Sequence, residues 1–510
     1  MRIGTDLHVP AADGSLLATD LYVPENPSAL VVLRTPYDRA ALRRDGIGWA
    51  RAGIAALIQD VRGRYGSTGD WQPYRHERAD GAALLAWLAH QSWTPEHLVA
   101  VGASYAAWTA WALAVEGNGP DAPTRVRGVI SMVPATGMHA VNHTGGILRL
   151  AEHLTWWSEH GEGPTSRTGL AAAVLSADPG LYRRLPVRDL GTRLGFRSRH
   201  WWPVVSDDPA ERPWQPEIVD AEELRRLRMP SLHVGGWYDP FVAATIDQWR
   251  SVGAAHAERP ARRLIVGPWA HALSSPHSAT VGDRHHGPES RLPLGRIQVQ
   301  WVRDLIAGSP PDTTSIYPIG ATEWRTWPET VPTNLWPAPD GTLTDAAALA
   351  TSADYRYDPE KPYLSSLSGQ ARGPETHPDN GVLRFALPRC ERPLLIAGAP
   401  ILHLTSSAPT PADRVALLIE TTGDGAEFVL AETAATVPAG RHRITLEFPP
   451  LAVELPPSST LTLLLTGGWF PALARHPQTD DNRYRTTTLA PAVHTVQLGP
   501  TRLELPLAKG

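Results

Sequence analysis

One junction narrows the possible folds more than any other part of the chain. Leu98 to Val101 is an apolar, β-favouring run, and through Gly102-Ala103-Ser104 it passes directly into the alanine-rich stretch Ala106 to Val115, whose apolar residues recur at helical spacing. A strand that turns this tightly into a helix holds its central residue in a strained backbone conformation and tolerates only small side chains on either side. Such a turn belongs to a parallel sheet covered by crossover helices, where it raises the Ser104 hydroxyl at the sheet edge. The Tyr105 N–H, at the start of the helix, then points toward a developing oxyanion and gains from the helix dipole.

The surrounding sequence has the rhythm this junction requires. Ala29 to Leu33, Ile54 to Gln59, Val126 to Val133, Ser231 to Val234 and Arg263 to Val266 read as further buried strands, and Ala79 to Ala89 as another helix. Residues 1–136 and 229–325 are thus expected to form the two parts of an α/β core. Residues 137–228, rich in Trp, His and Arg, interrupt the rhythm and are expected to form a helical cap over the carboxyl edge of the sheet, where α/β proteins keep their sites. Trp324 to Asp340 carries four prolines and reads as a connector. Beyond it, residues 340–510 hold short β-favouring runs separated by Gly, Pro and Asp turns, with no intervening helices. That texture predicts a β-sandwich, most naturally a jelly roll.

A chain of 510 residues exceeds what one hydrophobic core organises, which agrees with this division. The formal charge of −5 is spread without long single-sign runs, giving no electrostatic reason to expect nucleic acid or an anionic membrane as a partner. Cys390, the only cysteine, excludes an intramolecular disulfide and a thiolate zinc cluster. No secretion signal or apolar run of spanning length is present, so a cytoplasmic location is the default expectation. A small-molecule substrate is therefore sought, with no cofactor, and homo-oligomerisation is left open. Trp occurs 19 times against 6 Phe, so several indoles are expected to line a pocket while most serve as structure.

Serine is a poor nucleophile until a base removes its proton, and the base needs an orienting carboxylate. In this class of fold the chain order is Ser, then Asp or Glu, then His, each on a loop after a core strand. Asp239 follows Ser231-Leu-His-Val-Gly-Gly-Trp-Tyr, and His271 follows Arg263-Leu-Ile-Val-Gly-Pro-Trp-Ala. Either residue alone could be an ordinary surface group; both at strand ends, in the required order, point to a triad with Ser104.

The motifs Arg34-Thr-Pro-Tyr37-Asp, Asp60-Val-Arg-Gly-Arg-Tyr-Gly-Ser67-Thr-Gly69, Gly102-Ala-Ser-Tyr, Gly235-Gly-Trp-Tyr-Asp239 and Gly267-Pro-Trp-Ala-His271 resemble, in order, those of the family that includes cocaine esterase, α-amino acid ester hydrolases and X-Pro dipeptidyl peptidases. The resemblance implies an α/β-hydrolase core with a helical cap and a C-terminal jelly roll, and a serine hydrolase acting on an ester or amide. It also implies that Tyr37 supplies the second oxyanion donor beside the Tyr105 amide, and it favours Trp157 as a wall of the acyl pocket; the competing readings are a loop aromatic and core packing. Trp269, two residues before His271, is a second candidate wall. The chain departs from the family at Ala107, where a glycine is usual.

Other constellations carry plainer readings. The Asp60 to Gly69 run has the glycines of a phosphate loop but not its Gly-Lys-Ser/Thr ending, so Asp60 and Arg62 are expected to pin the loops around the elbow. His139 and His143 are spaced for one helix face, with His153 and His160 following, yet no acidic third ligand stands at a recognised offset and no metal site is expected. His285-His286 is weaker still. Leu154-Thr-Trp-Trp157 as a stretch and His200-Trp-Trp202 are candidate walls, and Asp207, Asp208 and Glu211 could meet a cationic substrate group, although solvated loop acids are the simpler reading. Two alternatives to hydrolysis stay open: an acyltransferase or cyclising enzyme using the same triad, and a non-catalytic carbohydrate- or ligand-binding protein.

Overall fold

A computed structural model describes residues 1–119, 121–137, 141–161, 163–194, 219–347, 350–365 and 381–509. Nine strands form the first sheet: β1 (Arg2–Pro10), β2 (Leu16–Val23), β3 (Leu30–Thr35), β4 (Ala55–Asp60), β5 (Leu98–Ala103), β6 (Val126–Met132), β7 (Ser231–Gly236), β8 (Arg262–Gly267) and β9 (Thr314–Ile316). Their spatial order is β1-β2-β4-β3-β5-β6-β7-β8-β9. From β4 to β9 neighbours run parallel, whereas β1 and β2 form an antiparallel hairpin whose second strand pairs with β4. That hairpin was not legible as part of the sheet, since most of β1 is exposed and carries no apolar stripe.

The parallel strands are continuous apolar runs because both faces of the sheet are covered. Successive residues of β5 show this: Val99 and Val101 join the apolar cluster with Trp301 and with Trp49 of α1 (Arg43–Arg51), while Leu98 and Ala100 join the opposite one, beneath α2 (Glu77–Ala89) and α3 (Tyr105–Glu116). The order of strands reverses between β3 and β5, and at such a switch point the loops leaving the two strands diverge and open a crevice at their carboxyl ends. Tyr37 follows β3 and Ser104 follows β5, so topology alone sets both residues at that crevice.

Within residues 137–228 the described part is mainly helical, including α4 (Leu150–His160) and α5 (Leu170–Ala177). Two-residue strands at His143–Thr144 and Ile147–Leu148 pair as a hairpin, so His143 is not on a helix as its spacing from His139 suggested; His139 lies outside the described residues. Among the described residues, no helix is long and apolar enough to cross a membrane.

The C-terminal part is antiparallel and all β. One sheet runs Leu343–Thr344, Thr330–Pro337, Arg502–Ala508, Ile401–Ala408, Ala492–Gln497, Ser352–Tyr357, with further strands alongside, and a second runs Leu383–Ala386, Thr460–Thr466, Ala412–Thr421, Glu427–Val437. The expected connector is corrected here, since Thr330–Pro337 is a strand paired with Arg502–Ala508, Pro332 facing Pro506. Proline is tolerated because the far side of this strand meets only Leu343–Thr344, at Trp336 and Pro337, so Pro332 stands where no ladder continues. One apolar cluster spans the two parts of the molecule, joining Trp237, Ile246 and Val266 of the α/β part to Leu446, Leu463 and Leu503 of the β part.

Candidate active site

Ser104 adopts φ 55°, ψ −124° between β5 and α3. An L-residue reaches this region only at a cost, which the local sequence makes tolerable. A Cβ at Gly102 would lie 1.9 Å from the carbonyl oxygen of Ala106, so the turn closes only because position 102 has no side chain. Ala107 is fully buried, its methyl group packed at the start of the helix. The Ser104 N–H donates to the Met132 carbonyl at 3.0 Å, tying the elbow to β6.

Beside it, His271 Nε2 lies 3.0 Å from Ser104 Oγ, and its Nδ1 lies 2.8 Å from Asp239 Oδ1. The two partners stand on the loops after β7 and β8, neighbouring parallel strands, which is why residues so far apart in sequence meet. Asp239 is buried while His271 remains partly exposed. The tautomer consistent with both contacts carries its proton on Nδ1, donated to Asp239, and leaves Nε2 to accept from the serine hydroxyl. Burial alone would lower the imidazole pKa, but the hydrogen bond and charge of Asp239, aided by Glu152, outweigh it and raise the pKa above its ordinary value. Phe241 meets the imidazole edge-on, ring centroids 5.1 Å apart.

Tyr37 completes this surface. Its hydroxyl accepts from Trp156 Nε1 at 3.1 Å and also interacts with the Ser104 side chain. Burial pushes the phenol above its ordinary pKa, so the group stays protonated and its O–H is available as a donor. The Tyr105 N–H is the first of α3, among those a helix N-terminus leaves without an intrahelical acceptor. Its side chain turns inward, where the hydroxyl accepts from the Tyr74 N–H at 2.7 Å and donates to the buried Glu77 carboxylate.

Ser104, Tyr37 and His271 open onto a cavity of about 1280 Å³. Cap helix α4 contributes Glu152, Trp156 and His160, and the β part contributes Glu432, Leu446 and Trp469, so three segments of the chain line it. Arg149 links two of them, with Nε 2.8 Å from Glu152 and Nη1 3.6 Å from Glu432.

Two expected pocket walls are corrected. Trp157 is fully buried on the inner side of α4, among Leu150, Leu154 and Leu190, and it is Trp156 that faces the cavity. Helical spacing separates the pair: positions 154, 157 and 158 share a buried face away from the cavity, whereas 152, 155, 156, 159 and 160 line it together with the buried 151 and 153. Trp269 is also buried, donates from Nε1 to the Ser290 carbonyl at 3.1 Å and stands outside the cavity lining. The glycine at 236 exists for this residue, since a Cβ there would lie 2.2 Å from the Trp269 carbonyl oxygen. Sequence reasoning passed over Arg149, Glu152 and Glu432; the first two were within reach of a helical wheel, whereas nothing local marks Glu432.

The Asp60 to Gly69 run is a bracing segment. Asp60 accepts from the Arg39 N–H at 2.8 Å and from its guanidinium, and Arg62 is paired with Asp80 and Asp13. His200, Trp201, Trp202, Asp207, Asp208 and Glu211 lie outside the described residues. Among the described residues no three His, Cys, Asp or Glu side chains gather as a cation site.

Comparison with known proteins agrees with the architecture. The family described as X-Pro dipeptidyl-peptidase (S15 family) matches residues 13–273, which hold the elbow and both of its partners. Cocaine esterase from Rhodococcus sp. (strain MB1 Bresler) is 27% identical over 88% of this chain and 85% of that enzyme. Among solved structures, an α-amino acid ester hydrolase superposes with a TM-score of 0.81 at 19% identity, covering 99% of this chain and 96% of its own. A CocE/NonD family hydrolase from Staphylococcus aureus superposes with a TM-score of 0.66 at 14% identity, covering 99% of this chain and 94% of its own. With an α/β-hydrolase core, a helical insertion and an all-β C-terminal part, the chain belongs to the X-Pro dipeptidyl-peptidase (S15) family of serine hydrolases.

Proposed function

We propose that the protein hydrolyses a small-molecule ester through an acyl-enzyme on Ser104. The reading is supported above all by the unbroken chain of contacts from Asp239 through His271 to Ser104, at 2.8 and 3.0 Å, opening onto a large cavity. Two similar enzymes, cocaine esterase and an α-amino acid ester hydrolase, favour an ester, while the dipeptidyl-peptidase description of the family keeps an amide as the second reading.

As Ser104 Oγ attacks the carbonyl carbon, its proton passes to His271 Nε2 and the carbonyl oxygen becomes an alkoxide. The Tyr37 hydroxyl and the Tyr105 N–H donate to that oxygen, and Asp239 stabilises the imidazolium without itself taking the proton. Collapse of the tetrahedral intermediate expels the alcohol, which takes the proton from His271. Water then attacks the acyl-serine with the same imidazole as base and releases the acid. The strained serine backbone keeps Oγ in the attacking position before substrate arrives, so little reorganisation is left for the reaction itself.

Incubation with a fluorophosphonate and with a panel of p-nitrophenyl esters, followed by mass spectrometry, should locate the adduct and the acyl group on the peptide containing Ser104. Ser104→Ala should lose both labelling and turnover. Undiminished turnover in that variant would remove the assignment.

A further inference from the structure

His160 closes the cavity-facing end of α4 and has no place in the acyl-transfer scheme. Its ring meets the Tyr37 ring edge-on, centroids 5.0 Å apart, so it borders the tyrosine whose hydroxyl reaches Ser104. Its Nδ1 lies 2.9 Å from Ser166 Oγ. The same oxygen accepts from Arg64 Nη2 at 2.9 Å, and a guanidinium can only donate. The serine hydroxyl proton is then directed to Nδ1, its acceptor among the described residues. An imidazole that accepts at Nδ1 carries its remaining proton on Nε2. Burial, and secondarily the Arg64 charge, hold the ring's pKa down to about 4, so at neutral pH it is a neutral, single-donor group. Arg64 is itself fully buried and braces both sides of this arrangement: Nε donates to the Pro36 carbonyl at 3.0 Å, next to Tyr37, and Nη1 to the Gly163 carbonyl at 2.6 Å. One side chain therefore fixes the loop of the oxyanion donor and the tautomer of the histidine beside it.

Resting on the acyl-transfer reading above, we propose that His160 is a specificity-determining residue whose Nε2–H binds an uncharged oxygen acceptor of the substrate other than the scissile carbonyl. The favoured substrates are esters bearing a second carbonyl or ether oxygen. A neutral donor suits such an oxygen: it discriminates against a methylene at the same place, because an aliphatic chain would leave the N–H desolvated and unpaired. The nearby Trp156 and Tyr37 rings supply apolar walls beside it.

The test is an oxygen scan. Two series of esters, one varied in the acyl chain and one in the alcohol, replace a single methylene by an ether oxygen at successive positions, each compared with its all-methylene counterpart. In the wild-type enzyme at least one position should raise kcat/KM by about tenfold over its counterpart. His160→Phe should bring that ratio to about one, and His160→Gln, which keeps an N–H donor at a similar reach, should retain most of it. Ser166→Ala, which frees Nδ1 and lets the proton change nitrogens, should give an intermediate ratio. A residue that only supports the fold would change both members of a pair alike. An unchanged ratio in His160→Phe, or no preferred position in either series of the wild type, overturns the proposal. Fluorophosphonate labelling of Ser104 run in parallel keeps the two readings apart: normal labelling with an unchanged ratio removes only the role of His160, and turnover surviving in Ser104→Ala removes the acyl-enzyme itself.

Discussion

Ser104 carries backbone strain of roughly 1–3 kcal/mol, and the hydrogen bond to β6 together with the absence of a side chain at 102 is what keeps it in place. Around it, each polar neighbour has one direction left to act in. Trp156 occupies a lone pair of the Tyr37 hydroxyl, which leaves that group's proton for the oxyanion of the proposed reaction. Tyr37→Phe should lower kcat on the order of a hundredfold with little change in KM, because the lost hydrogen bond is one made mainly in the transition state; a loss confined to KM would assign Tyr37 to ground-state binding. The imidazole of His271 is raised by Asp239 against the lowering effect of burial, so it holds its proton to higher pH than an ordinary histidine and activity should rise as the pH passes through that point. In Asp239→Asn only the weaker influence of Glu152 still opposes burial, so the acid limb of the kcat/KM profile should move to lower pH while kcat falls on the order of 10⁴-fold. An unmoved limb would mean that a different group controls it.

At the scale of elements, α3 is held from below by α2. Glu77, at the start of α2, is buried and receives the Tyr105 hydroxyl. Burial lifts the Glu77 carboxyl to about 7, against the lowering influence of the Tyr105 hydroxyl and the Arg34 charge. The native state therefore keeps a proton that the unfolded chain releases near 4.5, and stability from this group declines as pH rises through that window, to a floor above about pH 7. Glu77→Gln removes the titration. The difference in unfolding free energy between wild type and variant should then drift, in favour of the variant, by roughly 3 kcal/mol between about pH 4.5 and 7.5. Denaturant titrations at the two ends of that range measure it, and parallel behaviour of the two proteins would place the charge of Glu77 in a compensated environment instead.

For the whole molecule, the β part is fused to the α/β part rather than appended to it. A single apolar cluster crosses between them, and strand Glu427–Val437 brings Glu432 to the cavity wall. The junction also contains Arg284, whose Nη2 lies 2.7 Å from the buried Glu420 and whose guanidinium stacks 4.3 Å from the centroid of Phe428. Removing one member of such a pair leaves the other charge buried without compensation. Glu420→Ala should cost about 3 kcal/mol and lower the melting temperature in one cooperative transition. A variant that melts in two steps would show that the parts unfold separately.

The sequence by itself determined the parallel core, the elbow and the three residues that meet there, because each rests on a local pattern: apolar runs of strand length, helical spacing, and small residues around a serine. Once β5, β7 and β8 are adjacent in a parallel sheet, the loops after them must converge, and their positions in the chain reveal as much. Only the tertiary structure decided which of two consecutive tryptophans faces the cavity, that Trp269 wedges beneath the site, and that a proline-bearing stretch forms a strand opposite the C-terminus. It alone brought Glu432 and Arg149 to one wall. These outcomes depend on which face of an element finds a partner, and a partner supplied by a segment hundreds of residues away leaves no mark on the local sequence.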